Sequence, residues 1–468
     1  MIKKEKYRYL FGNMALFTAS NFVSKLLVML LVPFYTNVLT TSEYGIADVM
    51  QATLLLLVPL VTLNAGESAL RFGLEKENNH ADILRIGLKR ILISIGLVTF
   101  ACILVILFAP TQLLRTYFCL FLFLYICDCI YEYLLLFCQG TERVKIMIMG
   151  SVSCTILVIG SNLYFLLVRN MGLYGYLFSQ MISFLGASIF MVVLLNIRKE
   201  ISVWKKDIVL EKEMTFYGES MLLYSTSSWV NNAIDRYFVL AMCGSAINGL
   251  YGVAYKIPAI LIVVQRIFAQ AWQMSATKNY KEEDRGIFFS GMYEAYHAIM
   301  IVGCSFLIVI VRLIAKFMFA KEFFEAWVLV PPLLISVIFG ALTGYLGSIC
   351  LAFKDGKSMG QATGIGALVN IILNLIGIYY IGAMGAAIAT MISYYVMYVV
   401  SYHKVKKHCE LKIARKKDDI SYGIVLIQAV LIVKQISGYY VINSILFLVL
   451  LCIYGKQLWR IVKRIGEK

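Results

Sequence analysis

The sequence predicts an all-α integral membrane protein with about fourteen transmembrane helices, and its composition and long apolar runs carry this prediction. Hydrophobic residues make up 60% of the 468 residues, only 15% are charged, and the mean hydropathy is +0.79. A soluble domain is about half apolar and about a quarter charged. Runs such as 91–109 approach the about 20 residues that a helix needs to cross a bilayer. A transmembrane β-barrel would show alternating segments of about ten residues, so we exclude it.

The charged residues and cysteines exclude several other classes of protein. The net charge of +16 does not indicate a nucleic-acid-binding protein, because the basic residues form short clusters between apolar runs. The eleven cysteines are scattered without a CxxC motif or a ligand-spaced Cys/His set, so neither a disulfide framework nor a metal site is expected. Several cysteines lie inside apolar runs, where thiols act as small hydrophobic groups. These are Cys102, Cys119, Cys127 and Cys129.

The start of the chain combines a basic segment, MIKKEKYRYL, with an apolar stretch that reaches Leu39. This stretch is too long for the apolar region of a signal peptide, contains Lys25 and has no small-residue cleavage site. We therefore expect it to be retained as the first transmembrane helix.

Fourteen segments are long and apolar enough to span the membrane. Their limits are roughly 11–38, 44–66, 91–110, 113–138, 146–168, 172–196, 218–243, 247–274, 287–318, 328–353, 359–380, 383–404, 420–437 and 440–458. With a cytoplasmic N-terminus, the cytoplasmic segments hold 33 Lys and Arg residues and the outer loops five. Because short cytoplasmic loops are enriched in Lys and Arg, this asymmetry predicts that both termini are cytoplasmic. The longest cytoplasmic loops, 67–90, 197–217 and 405–419, are expected to lie as amphipathic segments on the anionic leaflet.

An internal repeat at an offset of about 210 residues predicts two copies of a six-helix bundle. The matching pairs are Ser20–Lys25 with Ser227–Asn232, Tyr44–Ala47 with Tyr251–Ala254, Cys138 with Cys350, Lys145 with Lys357, Asn162 with Asn374, and the segments that begin at Gly172 and Gly382. Chance similarity between apolar helices is the alternative explanation. Six is an even number, so both copies have the same orientation and form two parallel lobes around a central cavity.

The domain limits follow from this repeat. The N-lobe is 1–196, a cytoplasmic linker is 197–217, the C-lobe is 218–404, a second linker is 405–419, and 420–468 carries helices 13 and 14 and a cytoplasmic tail.

Conspicuous residues in both halves occur in the order found in one family of transporters. The first half has Pro33 late in helix 1, Glu43-Tyr44-Gly45 opening helix 2, and Arg71 after helix 2. The second half has Asp235-Arg236-Tyr237, then GLYGVAYK from Gly249, then Gln270-Ala271-Trp272. Over essentially the whole chain, the sequence resembles the polysaccharide-transporter family. This family includes the Wzx-type O-antigen and capsule-repeat flippases of the multidrug/oligosaccharidyl-lipid/polysaccharide (MOP) superfamily.

The resemblance implies a function, a location and a set of partners. The expected function is translocation of an undecaprenyl-diphosphate-linked oligosaccharide from the cytoplasmic to the outer leaflet of the bacterial cytoplasmic membrane. The expected partners are that glycan, membrane lipids and other polysaccharide-assembly proteins. No nucleic acid and no cofactor are expected, although Na⁺ or H⁺ is a candidate coupling ion. No Walker-type lysine loop is present.

Four basic residues inside predicted spans are candidate ligands of the diphosphate, because charges in the membrane are costly and usually face a cavity or a partner. They are Lys25 in the middle of helix 1, Arg236 in the outer half of helix 7, Lys256 in the outer half of helix 8, and Arg266 nearer its cytoplasmic end. Arg binds phosphate in a bidentate manner and Lys as a point charge. The alternatives are a structural partner for Arg236, such as Asp235 or Asp48, and snorkelling of the lysines towards the interface.

Acidic and amide side chains are the candidates for ion coupling. Asp128 and Glu132 lie four residues apart and share one face of helix 4, and Asp48 lies near the start of helix 2. Asp235, Asn370, Asn374 and Thr390 resemble the sodium site of lipid II flippases. Pairing with a buried base is the alternative for the carboxylates, and hydrogen bonding between helices is the alternative for the asparagines. Glu294 and His297 open helix 9, where we expect a solvated helix end.

Two other functions remain open. A cation-coupled multidrug antiporter is the first, although the last two helices and the cations Lys25, Arg236 and Lys256 argue against it. A membrane-embedded glycosyltransferase or polymerase is the second, but the outer loops are short and no clustered catalytic carboxylates are visible.

Overall fold

The computed structural model describes residues 31–75, 78–108, 111–196, 207–280, 282–353, 355–411 and 415–466. The described residues are helical apart from short connections, and they form two compact units with a boundary between Trp229 and Val230. Most of the first predicted span, including Lys25, lies outside the described residues. The all-α fold class is confirmed.

The described residues of the first unit form seven helices and the beginning of an eighth. They are α1 (Val32–Val38), α2 (Thr41–Val61), α3 (Ala65–Gly73), α4 (His80–Phe108), α5 (Gln112–Gly140), α6 (Val144–Asn162), α7 (Gly172–Leu195) and α8 (Ile208–Cys243). A π-helical turn, Leu163–Val168, extends α6, and α8 continues without a break past residue 230.

In the second unit, the described part of the chain forms the rest of α8 and eight further helices. They are α9 (Ser245–Ala254), α10 (Pro258–Asn279), α11 (Arg285–Met318), α12 (Val330–Ala352), α13 (Gly356–Ile381), α14 (Ala383–Val405), α15 (Arg415–Val433) and α16 (Tyr439–Gly466). A 3₁₀ helix, Lys321–Leu329, leads into α12. In the combined segment Lys321–Ala352, 89% of the most apolar 18-residue stretch is buried, so this segment forms the centre of the unit.

Ten of the described helical segments are long and apolar enough to cross a membrane, and α9 with α10 makes an eleventh if this bent pair counts as one span. The pair bends by 47° at residues 255–257. Helices α8 and α15 occupy the seventh and thirteenth predicted spans, but neither is as apolar as the other ten. Polar residues continue along the whole of α8, and α15 begins with five charged residues, 415–419.

The start of α2 shows why Glu-Tyr-Gly opens this helix. The Thr40 hydroxyl accepts a hydrogen bond from the Glu43 amide at 3.2 Å, and the Glu43 carboxylate accepts one from the Thr40 amide at 2.9 Å. This capping box satisfies two amides at the helix terminus. The other Glu43 oxygen accepts a hydrogen bond from the Leu173 amide at 3.2 Å, so the same side chain joins the starts of α2 and α7.

Residues paired by the sequence repeat have the same local structure in each unit. Asn162 and Asn374 are both buried, and each amide nitrogen donates to the carbonyl oxygen four residues earlier. Gly172 and Gly382 both have positive φ angles, +53° and +59°, at the start of a helix. A side chain would strain both positions.

The loops predicted to lie on the leaflet are shorter than expected. Helix α4 begins at His80 and α8 at Ile208, so much of 67–90 and 197–217 is helical and continuous with the spans. Ionic contacts fix these extensions within the first unit: Lys89 Nζ lies 2.5 Å from Glu211 Oε1, and Arg90 donates to the Thr215 hydroxyl at 2.7 Å. The hydrogen bond from Lys89 holds the pKa of Glu211 below its ordinary value. Residues 197–206 lie outside the described part of the chain.

Candidate ion and substrate sites

Asp235 is a buried carboxylate on α8 that is surrounded by hydroxyl groups of the second unit. Its side chain is 2% exposed. Oδ2 accepts hydrogen bonds from Tyr251 at 2.5 Å, from Tyr255 at 2.8 Å and from Thr390 at 3.3 Å, and Oδ1 accepts one from the Arg236 amide at 3.0 Å. A carboxylate inside a membrane protein is costly unless it is hydrogen-bonded. These donors supply that stabilisation. Two of them, Tyr251 and Tyr255, lie at the end of α9.

The two asparagines of α13 lie one turn apart and bond to each other. The Asn374 amide donates to the carbonyl oxygen of Asn370 at 2.9 Å and to its side-chain Oδ1 at 3.0 Å. The Asn370 amide donates to Ser393 of α14 at 3.1 Å. Asn374 is fully buried, and its Oδ1 has no hydrogen-bond partner among the described residues. A buried, unsatisfied carbonyl oxygen is costly, and it is a good ligand for a hard cation.

The structure therefore brings some members of the predicted sodium set together. Thr390 contacts Asp235 directly, and Asn370 contacts Asn374. All four side chains are no more than 2% exposed and come from α8, α13 and α14. The oxygen atoms that these two pairs offer to a hard cation are those of one carboxylate, one hydroxyl and one amide group without a hydrogen-bond partner among the described residues. Among the described residues, no group of three His, Cys, Asp or Glu residues is arranged to bind a metal ion.

Arg236 is half-buried and packs against the same cluster. Its guanidinium lies 5.0 Å from the centroid of the Tyr255 ring, and its Nη1 donates to the carbonyl oxygen of Asn232 at 2.9 Å. Tyr255 therefore contacts Arg236 with its ring and Asp235 with its hydroxyl. Stacking on an aromatic ring orients a guanidinium.

The other predicted cations occupy different surroundings. Lys256 lies in the bend between α9 and α10, not within a continuous helix as the sequence suggested. It is half-buried, and its ammonium makes no hydrogen bond or ion pair with the described residues. Arg266 is exposed on α10. Lys25 lies outside the described residues.

Asp128 and Glu132 lie on the same face of α5 in the first unit, as predicted. Asp128 is half-buried and Glu132 is exposed, and neither carboxylate has a hydrogen bond or ion pair with another described residue. The negative charge of Glu67, on α3, repels that of Glu132. Asp48 is half-buried on α2. Pairing with a base, the alternative to an ion-coupling role for Asp128 and Glu132, is therefore not found in the described part of the chain.

Residues 10–273, more than half of the chain, match the family model of polysaccharide biosynthesis proteins. The chain belongs to this family. The predicted family is confirmed, and the chain is a multi-pass membrane protein. A comparison with curated proteins by sequence gives no match.

Solved structures of transporters have the same fold as this polysaccharide biosynthesis protein. The structure "Lipid II flippase MurJ, inward closed conformation" matches with a TM-score of 0.69 and 17% identity, and the match covers 96% of this chain and 99% of that one. An inward-facing multidrug resistance MATE family transporter gives a TM-score of 0.70 and 13% identity over 82% and 95% of the two chains. A MOP superfamily transporter from Pyrococcus furiosus gives a TM-score of 0.55 and 14% identity over 84% and 93%.

Some residues of these sites were not identified from the sequence. In the sequence, Tyr251 and Tyr255 stand out only as part of a family motif, although their spacing of four residues places both hydroxyl groups on one face of a helix. Glu67 was assigned to a loop. His297 was assigned to a solvated helix end, which is wrong, because its side chain is fully buried in the second unit.

Proposed function

We propose that this protein is a flippase that moves an undecaprenyl-diphosphate-linked oligosaccharide from the cytoplasmic to the outer leaflet by alternating access. The observation that carries the proposal is membership of the polysaccharide biosynthesis family together with a transporter fold. A fold similar to that of a lipid II flippase over 96% of the chain supports a lipid-linked substrate. The site of action would be the bacterial cytoplasmic membrane.

The cations provide the chemistry for binding the diphosphate. A diphosphate that leaves water loses hydration, and fixed positive charges must replace it. Arg236 offers N–H donors held in place by the Tyr255 ring, and Lys256 offers an ammonium without a protein partner among the described residues. In the proposal, Lys25 and Arg266 contribute to the same task.

The Asp235 cluster provides a candidate for the coupling ion. Asp235, Thr390 and Asn374 supply oxygen ligands in a buried place, next to the residue that we assign to the substrate, Arg236. Binding of Na⁺ would replace the hydrogen bonds of Asp235 and would therefore alter the contacts of Tyr255 and Arg236. The carboxylates Asp128, Glu132 and Asp48 are the corresponding candidates for H⁺ in the first unit.

Deletion of the gene tests the proposed function. We expect a lipid-linked glycan to accumulate on the inner leaflet, and mass spectrometry of the extracted lipids would identify it. Complementation with Arg236→Ala, Lys256→Ala or Lys25→Ala should restore export poorly, whereas the exposed control Lys316→Ala should restore it fully. Wild-type export by all three variants would contradict the cationic site.

The second candidate function is a cation-coupled multidrug antiporter, because the match to the MATE transporter has a TM-score of 0.70. In that case the deletion strain would accumulate cationic drugs and no lipid-linked glycan. The two outcomes separate the functions in one experiment.

A further inference from the structure

A buried imidazole and a buried carboxylate meet in the second unit, away from the sites described above. His297 of α11 is fully buried, and Asp418 in the first turn of α15 is 6% exposed. His297 Nδ1 lies 3.6 Å from Asp418 Oδ1. This distance is too long for a hydrogen bond, but a shift of about 0.5 Å would form one.

Tyrosines hold both groups from the surrounding helices. His297 Nε2 lies 3.0 Å from the Tyr422 hydroxyl, and the Tyr454 hydroxyl of α16 donates to Asp418 Oδ1 at 3.3 Å. The Ser421 hydroxyl lies 2.9 Å from that of Tyr454. The pair therefore joins α11, in the body of the unit, to α15 and α16, the last two helices.

Two polar atoms of this cluster have no partner. His297 Nδ1 and Asp418 Oδ2 are buried, and neither makes a hydrogen bond with the described residues. Buried polar groups are normally satisfied, so each such atom requires an explanation. A proton on the Asp418 carboxyl can be donated from Oδ1, the oxygen nearer to the imidazole, to Nδ1, which then accepts the hydrogen bond that it lacks.

A cavity of about 230 Å³ reaches Asp418 from the side of α14. Its lining is polar and aromatic and includes Tyr398, Tyr402, Tyr422 and Asp419. A cavity of this size with hydroxyl groups can hold several waters. It provides a path by which protons exchange with the carboxylate.

The other titratable and charged groups near the pair do not take the place of a proton shared by His297 and Asp418. On α12, the group that faces the pair is the apolar ring of Phe339. The titratable and charged groups on the remaining helices are Tyr293 and Glu294 on α11, Tyr398 on α14, Lys417, Asp419 and Tyr422 on α15, and Tyr454 on α16. Lys417 is the cation among them, and its ammonium lies 4.1 Å from the Tyr454 ring centroid.

We propose that His297 and Asp418 form a proton-binding site, and that its occupancy controls how firmly α15 and α16 dock on the rest of the second unit. With the proton bound, the pair is neutral overall and hydrogen-bonded. Without it, a buried carboxylate faces an imidazole that cannot neutralise it, and docking weakens.

The environment of Asp418 sets the pH range. Asp418 precedes the apolar segment that begins at Ile420, and burial raises the pKa of its carboxyl to about 7 against the opposing effects of Tyr454 and Lys417. A carboxyl whose pKa is higher in the folded state stabilises that state at low pH, and the contribution is lost as pH rises through the folded value. From an ordinary Asp pKa of about 3.9, the opening of α15 should increase about tenfold between pH 6 and pH 8.

Hydrogen exchange of the purified full-length protein tests this site. We expect the opening rate of the α15 peptide in wild type, divided by that in Asp418→Asn at the same pH, to rise about tenfold from pH 6 to pH 8. Comparison at equal pH removes the intrinsic pH dependence of exchange. Glu410→Gln, which removes an exposed carboxylate that does not line the cavity, is the control and should follow wild type. A ratio that does not change with pH would overturn the proposal.

Imidazole NMR gives a second test that survives if Asp418→Asn folds poorly. The chain contains four histidines, and His297→Gln identifies the signals of His297. These signals should titrate between pH 6 and pH 8 in wild type and in Glu410→Gln. Signals of His297 that stay constant from pH 5 to pH 9 in wild type would rule out the proton site.

Discussion

At the scale of single residues, the second unit holds a charge in the membrane by surrounding it with neutral donors. Asp235 receives three hydroxyl hydrogen bonds and one from a backbone amide, and it has no Lys or Arg ion pair with a described residue. Hydroxyl donors can turn away from a carboxylate at low cost, whereas separation of a buried ion pair is expensive. Such a carboxylate remains available to a cation that enters the site.

Sodium binding at Asp235 should stabilise the purified protein. At a sodium concentration ten times the Kd, the expected gain is about 1.4 kcal/mol, measured as a rise in melting temperature when sodium replaces choline. Asp235→Asn should abolish this rise because it removes the only charge among the proposed ligands. Asp284→Asn, at an exposed helix start, should retain it. An equal sodium effect in Asp235→Asn would show that the ion binds elsewhere.

The sequence predicted single residues well where the partners were close along the chain or carried by a family motif. The face shared by Asp128 and Glu132 and the contact of Asn370 with Asn374 follow from helical periodicity. The contact of His297 with Asp418 joins residues 121 positions apart, and no periodicity relates them. Because the sequence does not show that Asp418 is its partner, it predicts that His297, near an expected membrane interface, faces water.

At the scale of helices, the hairpin of α13 and α14 depends on close approach of two backbones. A Cβ atom added to Gly385 would lie 2.1 Å from the backbone carbonyl carbon of Gly377. No L-residue fits there without separation of the helices, and Asn370, Asn374 and Thr390 lie on these same two helices. The hairpin therefore fixes the position of three candidate ion ligands.

Gly385→Ala should destabilise the protein by about 2 kcal/mol, because it forces an overpacked contact that backbone atoms cannot relieve. Gly364→Ala, in the same hairpin, is the control, since nothing lies within 4 Å of the added methyl group. It should be neutral or slightly stabilising, as alanine favours a helix. Thermal unfolding can be followed with a thiol-reactive fluorophore that detects buried cysteines such as Cys304 and Cys350. Equal melting temperatures for the two variants would contradict the close packing.

Helices were predicted from apolar content, and their limits differ where this signal fails. The seventh predicted span begins at residue 218, but α8 begins at Ile208, because residues 208–217 are helical although they include three charged residues. The eighth was predicted as one span, although Pro258 follows a break at residues 255–257. Hydropathy detects what contacts lipid, and it does not detect polar helix or a bend within an apolar run.

At the scale of the whole molecule, the distribution of Lys and Arg predicts an orientation in the membrane. The sequence repeat, which predicts two copies of one bundle, recurs in the structure as paired local features, such as the left-handed glycines Gly172 and Gly382. With both termini cytoplasmic, residue 170 lies outside and residues 405–419 lie inside.

Reporter fusions should verify this orientation. Green fluorescent protein should fluoresce when fused after residue 468 or inserted near residue 410, and alkaline phosphatase should be active when fused near residue 170. Each reporter is active on one side of the cytoplasmic membrane only, so the two give independent answers. Phosphatase activity of the fusion after residue 468 would mean that the number of spans is odd or that the orientation is reversed.

The bend between α9 and α10 links the position of Lys256 to the angle between these two helices. Pro258 lacks an N–H group, so the carbonyl oxygen of Ala254 would have no helical partner even if the two helices were collinear. Bending at this point therefore costs less elastic energy than bending anywhere else along the segment. Lys256 lies at the apex, so each change of angle displaces its ammonium. A change in the angle between α9 and α10 and a displacement of the Lys256 ammonium are therefore the same movement.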